Sequence, residues 1–226
     1  MTPGDGGAIN FRATAQQRLK ADPYRTEVAD LAKAIAPHQS VERAQLQRLA
    51  LRALRPGRRD DEVQRVCATK VLAALLPGSQ RAIRRLLQLT DGVGAYEVHF
   101  SLFCALSDLE LDEVPKGQLL ESIGEYLRHV KSETAMAAWM AGDLLGDHWI
   151  GDEALTVLLH AAEHACFAAG RCGGLHGLEH RMGNAGTVER GRLVAFFREI
   201  VKTDRSERVR SYARNARSGC RGMETG

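Results

Sequence analysis

Aromatic residues are scarce: Phe, Trp and Tyr make up 5% of the 226 residues. Strands draw on aromatic and β-branched side chains, so a chain rich in Arg, Ala and Leu points to helices and away from a β-sandwich. No window of about 18 apolar residues occurs, so no membrane span is read from the sequence. The opening MTPGDGGAINFRATAQQRLK lacks an apolar core and does not read as a secretory signal. The five cysteines, Cys67, Cys104, Cys166, Cys172 and Cys220, are odd in number and scattered. That pattern fits reduced thiols and a cytoplasmic location better than a disulfide framework. GxxxxGK[ST] is missing, as is a GxGxxG following a strand, so the common nucleotide folds lose support. No motif calls for a cofactor, and none is expected.

What is present is ordinary in amount and unusual in placement. Apolar residues are 44% and charged residues 26%, the composition of a globular chain. The net charge of +3 hides three blocks. Residues 1–90 carry 16 Lys and Arg against 8 Asp and Glu, residues 91–163 carry 3 against 14, and residues 164–226 carry 12 against 6.

The first ten residues are Gly-, Pro- and polar-rich, which predicts disorder. Residues 11–217 read as one helical domain, with a flexible tail over 218–226. Leu46, Leu49, Ala50 and Ala53 recur at offsets of three and four, which predicts an amphipathic helix over 41–54, stopped by Pro56-Gly57. Val63, Val66, Cys67, Val71, Leu72 and Leu75 repeat the scheme over 61–76, up to Pro77-Gly78. Ile83, Leu86, Leu87 and Leu89 do so over 79–89, up to Asp91-Gly92. Further on, Ala138-Trp139-Met140-Ala141-Gly142 aligns with Cys166-Phe167-Ala168-Ala169-Gly170 at an offset of 28, which also sets Gly146 on Gly174 and His148 on His176. Each segment reads as a small-residue helix with a Gly-rich exit. A second helix follows each, from Asp152 to about His160 and from Thr187 to Val201. A last helix opens near Asp204 or Ser206, either of which suits a cap.

The phrase AAWMAGDLLGDHWIGDEALTVLLHAAE and the tail DRSERVRSYARNAR resemble the HEAT repeat, especially its bacterial lyase-type form. The resemblance spans about residues 132–217 and extends more weakly over 41–110. It implies an all-α chain built as an α-α superhelix of four to five helical pairs, because one pair cannot bury its apolar face alone. A lyase-like role on a tetrapyrrole is implied only by analogy of fold.

Several residue sets are candidates for chemistry. Two segments read H-x-x-E-H: His160, Glu163 and His164, then His176, Glu179 and His180. Histidines four apart share a helix face and can chelate zinc, with the glutamate as base and Glu199 as a further ligand. The plain alternative places them on the polar faces of repeat helices. HEAT-like hydroxylases hold two irons on His-Glu pairs; here the order is Glu-His and Ala165 stands where a Glu is needed. Trp139 and Asp143 sit four apart, a spacing that resembles HEAT-like alkylpurine DNA glycosylases. There the Asp would stabilise the sugar cation as a charged base departs. The plain alternative has Trp139 in the core, matching Phe167, and Asp143 solvated and aligned with Arg171. Arg48, Arg52, Arg55, Arg58 and Arg59 could line a basic face for phosphates, although aromatics for stacking are nearly absent. Cys172 aligns with Leu144, which suggests a buried thiol. No pattern selects a Cys–His pair.

The leading expectation is a protein-interaction scaffold. An acidic middle formed by Asp108, Glu110, Asp112, Glu113, Glu121 and Glu125 would meet a basic partner, and Arg48, Arg52 and Arg55 an acidic one. Nucleic acid is a second partner class for the Arg-rich ends, and no membrane is expected. The DNA glycosylase and the H-x-x-E-H metal enzyme are the two alternatives.

Overall fold

A computed structural model describes residues 28–37, 39–54, 62–76, 78–88, 95–109, 111–131 and 135–221. These residues form eleven helices and no strand. In chain order they are α1 (Val28–Ile35), α2 (Ser40–Ala53), α3 (Glu62–Ala74), α4 (Gln80–Leu87), α5 (Ala95–Ser107) and α6 (Glu113–His129), followed by α7 (Ala135–Asp143), α8 (Asp152–His164), α9 (Ala168–Asn184), α10 (Thr187–Thr203) and α11 (Glu207–Arg221). The all-α expectation holds, and no described helix is long and apolar enough to cross a membrane.

The chain steps between two layers. Odd-numbered helices pack in succession, α1 on α3, α3 on α5, α5 on α7, α7 on α9 and α9 on α11. In the other layer α4 packs on α6 and α6 on α8. The core includes Leu72, Leu102, Ile123, Leu144, Leu175 and Phe197, none of which reaches solvent. Each such side chain contributes about 1.5–3 kcal/mol of burial free energy.

Most boundaries follow the expected breaks. On α2, Leu46, Ala50 and Ala53 are buried, and Glu42 accepts the Gln39 N–H at 3.0 Å, closing the first turn. On α4, Ile83, Leu86 and Leu87 are buried. The helices α8 and α10 run a few residues past their expected ends, to His164 and Thr203. Residues 1–10, the breaks at 55–61 and 89–94, and the end of the tail lie outside the described residues.

The 28-residue register is overturned. It sets mid-helix residues of α7 against the first residues of α9, because α9 starts only at Ala168. Phe167 precedes that helix and is 42% exposed, so it is no counterpart of Trp139. The two helices instead lie side by side at a longer offset. A Cβ on Gly173 would meet the Ala138 carbonyl oxygen at 2.5 Å, and one on Gly177 the Gly142 oxygen at 2.6 Å. The Gly-rich run that reads as a helix exit is the interior of α9. Glycine costs about 1 kcal/mol per helical position relative to Ala. Here the missing side chains let α9 approach α7 and α8 at backbone distance, and Leu158 Cδ2 would lie 2.5 Å from a Cβ at Gly177.

Arg171, expected to match Asp143, pairs elsewhere. Its Nε donates to Asp204 Oδ2 at 2.7 Å and its Nη1 to the Ala165 carbonyl at 2.8 Å. Asp204 Oδ1 also accepts the Ser206 N–H at 2.7 Å, just ahead of α11. Both side chains of the ion pair are nearly fully buried, and together they fix the start of α9 to the turn between α10 and α11.

Candidate metal centre

Three consecutive helices of the odd-numbered layer meet at one polar cluster. Trp139 and Asp143 come from α7, His176, Glu179 and His180 from α9, and Tyr212 from α11. The end of α7 widens into a π-turn, Leu144–His148, closed by the Trp149 N–H on the Leu144 carbonyl at 2.8 Å. Such turns recur at functional sites. This one places Asp147 beside Asp143, within reach of α9.

His176 Nε2 lies 2.9 Å from Asp143 Oδ1, and His180 Nε2 lies 3.1 Å from the same oxygen. The two imidazoles stack edge to face with centroids 4.6 Å apart. The outer nitrogens are both engaged. His180 Nδ1 contacts Asp147 Oδ2 at 2.6 Å. His176 Nδ1 contacts the Tyr212 hydroxyl at 2.7 Å, and that hydroxyl donates to Glu179 Oε2 at 2.5 Å. Asn184 donates to the other Asp147 oxygen at 3.3 Å. A carboxylate can only accept, and the Tyr212 proton is committed to Glu179. Each Nδ1 therefore carries a hydrogen, which leaves the two Nε2 atoms facing Asp143 as the positions that either a proton or a metal ion can occupy.

Asp143 Oδ1 is buried between two ring nitrogens at contact distance. Three electron-rich atoms so close need a positive centre between or beside them. Donors bound to one ion at about 2.0–2.1 Å sit roughly 3 Å apart, the spacing seen here. Without a metal, protons take that place. Burial alone would raise the Asp143 carboxyl, but its contact with His176 and the charges of His176, His180 and His148 outweigh burial and hold it below the ordinary value.

Trp139 is half-buried rather than a core residue. Its ring lies 5.2 Å from His176 and 5.9 Å from Tyr212, and its buried Nε1 has no hydrogen-bond partner. Tyr212 is raised in pKa by burial first and by the neighbouring Glu179 second, so the phenol keeps its proton.

The structure thus splits the sequence candidates. Asp143, His176 and His180 are the one set of three donors within metal-binding reach among the described residues. Glu179 supports Tyr212 rather than facing the donor set. The first H-x-x-E-H segment lies apart on α8. His160 and His164 stack at 4.9 Å, His164 pairs with Glu163 at 3.4 Å, and all three side chains are exposed. Glu163, His164 and Glu199 line one cleft of about 560 Å³, without the spacing of a metal site.

Arg48 and Arg52 are exposed on α2, and Asp108, Asp112 and Glu121 are exposed around α6. Arg55, Arg58, Arg59 and Glu110 lie outside the described residues, as does the side chain of Glu113. Cys172 is buried, as expected. Asp147, Asn184 and Tyr212 escaped the sequence reading. Asp147 carried a weak signal, one helical turn beyond Asp143; Tyr212 carried none without the repeat register. No family model, curated protein or solved structure matches the chain.

Proposed function

We propose that the protein is a metal-binding helical-repeat protein whose ion is held by Asp143, His176 and His180. The observation that carries this reading is the convergence of two imidazole Nε2 atoms on one buried carboxylate oxygen, with each Nδ1 anchored outward. Anchoring of the second ring nitrogen by a carboxylate, directly or through a hydroxyl, is the usual support of a metal-ligating histidine. Two imidazoles and a carboxylate suit a first-row divalent ion such as zinc or ferrous iron. Three protein donors leave coordination positions open, which is the arrangement of reactive rather than purely structural sites. The test is titration of chelator-treated, untagged protein with Zn²⁺ and Co²⁺. One equivalent is expected to bind, and Asp143→Asn and His180→Ala are expected to abolish it. Stoichiometry well below one, or unchanged binding in both variants, refutes the centre.

The HEAT resemblance is retained as a proposal, supported by the alternation of helices between two layers. The glycosylase reading shares Asp143, but that carboxylate has the neighbours of a metal ligand rather than those of a group aimed at a departing base. The scaffold reading is a second proposal, favoured by a cleft of about 630 Å³ between α2 and α4. Its floor is Leu51, Ala82 and Leu86, and its rim carries Arg81 and Arg85, with Arg48 and Arg52 exposed nearby on α2. An apolar floor inside a basic rim suits an acidic amphipathic segment, and that binding would weaken steeply with salt.

A further inference from the structure

The junction of α6 and α9 holds a second cluster, independent of the metal centre. Cys166 Sγ lies 4.0 Å from His129 Nδ1, and His129 Nε2 lies 3.5 Å from Glu125 Oε2. Thirty-seven residues separate the sulfur from the imidazole. The Cys166 backbone is held on both sides: its N–H donates to the Arg128 carbonyl at 2.9 Å, and its own carbonyl accepts from Arg205 Nη2 at 2.9 Å. Glu125 Oε1 accepts from Arg128 at 2.7 Å, which leaves Oε2 for the imidazole.

The order of groups is thiol, imidazole, carboxylate, the arrangement in which a base takes a nucleophile's proton and a third group orients the base. Cys166 stands two residues before α9, and His129 is the last residue of α6, so the pair sits where the two helix ends meet. The other described thiols are withheld. Cys67 and Cys172 are buried, and burial raises the Cys172 thiol and pushes Cys104 up to about 11. Among the four cysteines whose side chains the structure describes, Cys166 is the exposed one; the side chain of Cys220 lies outside them.

We propose that Cys166 is a reactive thiol that exchanges with small disulfides, with His129 accepting its proton and Glu125 orienting the imidazole. The proton passes from Sγ to Nδ1, and the sulfur attacks one sulfur of the disulfide. A Cys166–S–S–R bond forms as the R–S–S–R bond breaks, and the leaving thiolate takes the proton from His129. Cys166 is oxidised to a mixed disulfide, and one half of the small disulfide is reduced to a thiol. The charged groups bonded to this cluster are Glu125 and Arg128 on α6 and Arg205 ahead of α11, and Glu163 and His164 stand just before Cys166 at the end of α8.

The test is reaction of the full chain, under chelator, with 5,5′-dithiobis(2-nitrobenzoate), followed by release of the coloured thiolate from pH 6 to 10. In a Cys220→Ser background a single fast phase is expected, and Cys166→Ser should remove it. His129→Gln is expected to slow it about tenfold or more at pH 7, a typical general-base contribution being 10²–10⁴. The deficit should close as pH rises past the ordinary thiol range. Glu125→Gln should slow it less. Peptide mapping after treatment with glutathione disulfide should place the adduct on Cys166. A fast phase that survives Cys166→Ser, or a His129→Gln profile that overlays the wild type, overturns the proposal. Because the reaction is run without metal, its outcome is separate from that of the metal centre.

Discussion

His99 lies in the core, with Nε2 2.8 Å from the Leu86 carbonyl oxygen and its ring 4.8 Å from that of Tyr126. Burial lowers its pKa below the ordinary 6.5, and the bond to Leu86 offsets only part of that effect. The unfolded chain therefore takes up a proton below about pH 6.5 that the folded chain refuses, until the lower folded value is reached. In that window stability falls with acidification, with a slope approaching about 1.4 kcal/mol per pH unit from this one group. His99→Gln removes the titration, so the difference in slope between wild type and variant across pH 5–7 in urea melts isolates the effect. Equal slopes would show that His99 is free to charge in the fold. No pattern in the sequence marks His99, because a single histidine on an apolar helix face looks the same whether it packs or binds. Asp143, His176 and His180 were each visible, but in two unrelated readings. Asp143 went with Trp139, and the histidines went with Glu179. Only the side-by-side packing of α7 on α9 joins them.

Among elements, breaks were easier to read than contacts. Pro56-Gly57, Pro77-Gly78 and Asp91-Gly92 follow α2, α3 and α4, because proline and glycine act locally and need no partner. The glycines of α9 act through tertiary packing instead, and local propensity misplaces them as a helix exit. The same substitution should consequently have opposite signs at two positions. A methyl at Gly177 would lie 2.5 Å from Leu158 Cδ2 and 2.6 Å from the Gly142 carbonyl oxygen, and the backbone contact cannot rotate away. Gly177→Ala is expected to destabilise by about 1–3 kcal/mol, the range for overpacking a filled interface. A methyl at Gly191, inside α10, would meet nothing within 4 Å. Gly191→Ala is expected to stabilise by roughly 0.5–1 kcal/mol through backbone entropy alone. Urea midpoints of the two variants moving in the same direction would contradict the packing of α7, α8 and α9.

Across the described residues, the two layers turn sequence order into spatial order, so the described parts of the basic, acidic and basic blocks follow one another along the stack. The proposed ion belongs to the C-terminal part of that order. Its donors link α7 to α9, and Tyr212 brings in α11 through His176. In a stacked array, energy is shared mainly between neighbours, so a local bond need not stabilise distant units equally. A ligand that binds only the folded state adds RT ln(1 + [L]/Kd), about 2.7 kcal/mol when the free ion is at 100 times Kd. Zn²⁺ is therefore expected to raise the unfolding midpoint of the wild type and to leave that of Asp143→Asn unchanged. Hydrogen exchange resolves where the gain resides. Slowing should be greatest in α7, α9 and α11 and small in α1 to α4, because no donor comes from the N-terminal helices. Uniform slowing would mean that the stack unfolds as a single cooperative unit. Protection confined to α9 would mean that the ion sits on the two histidines without Asp143 and never joins the helices.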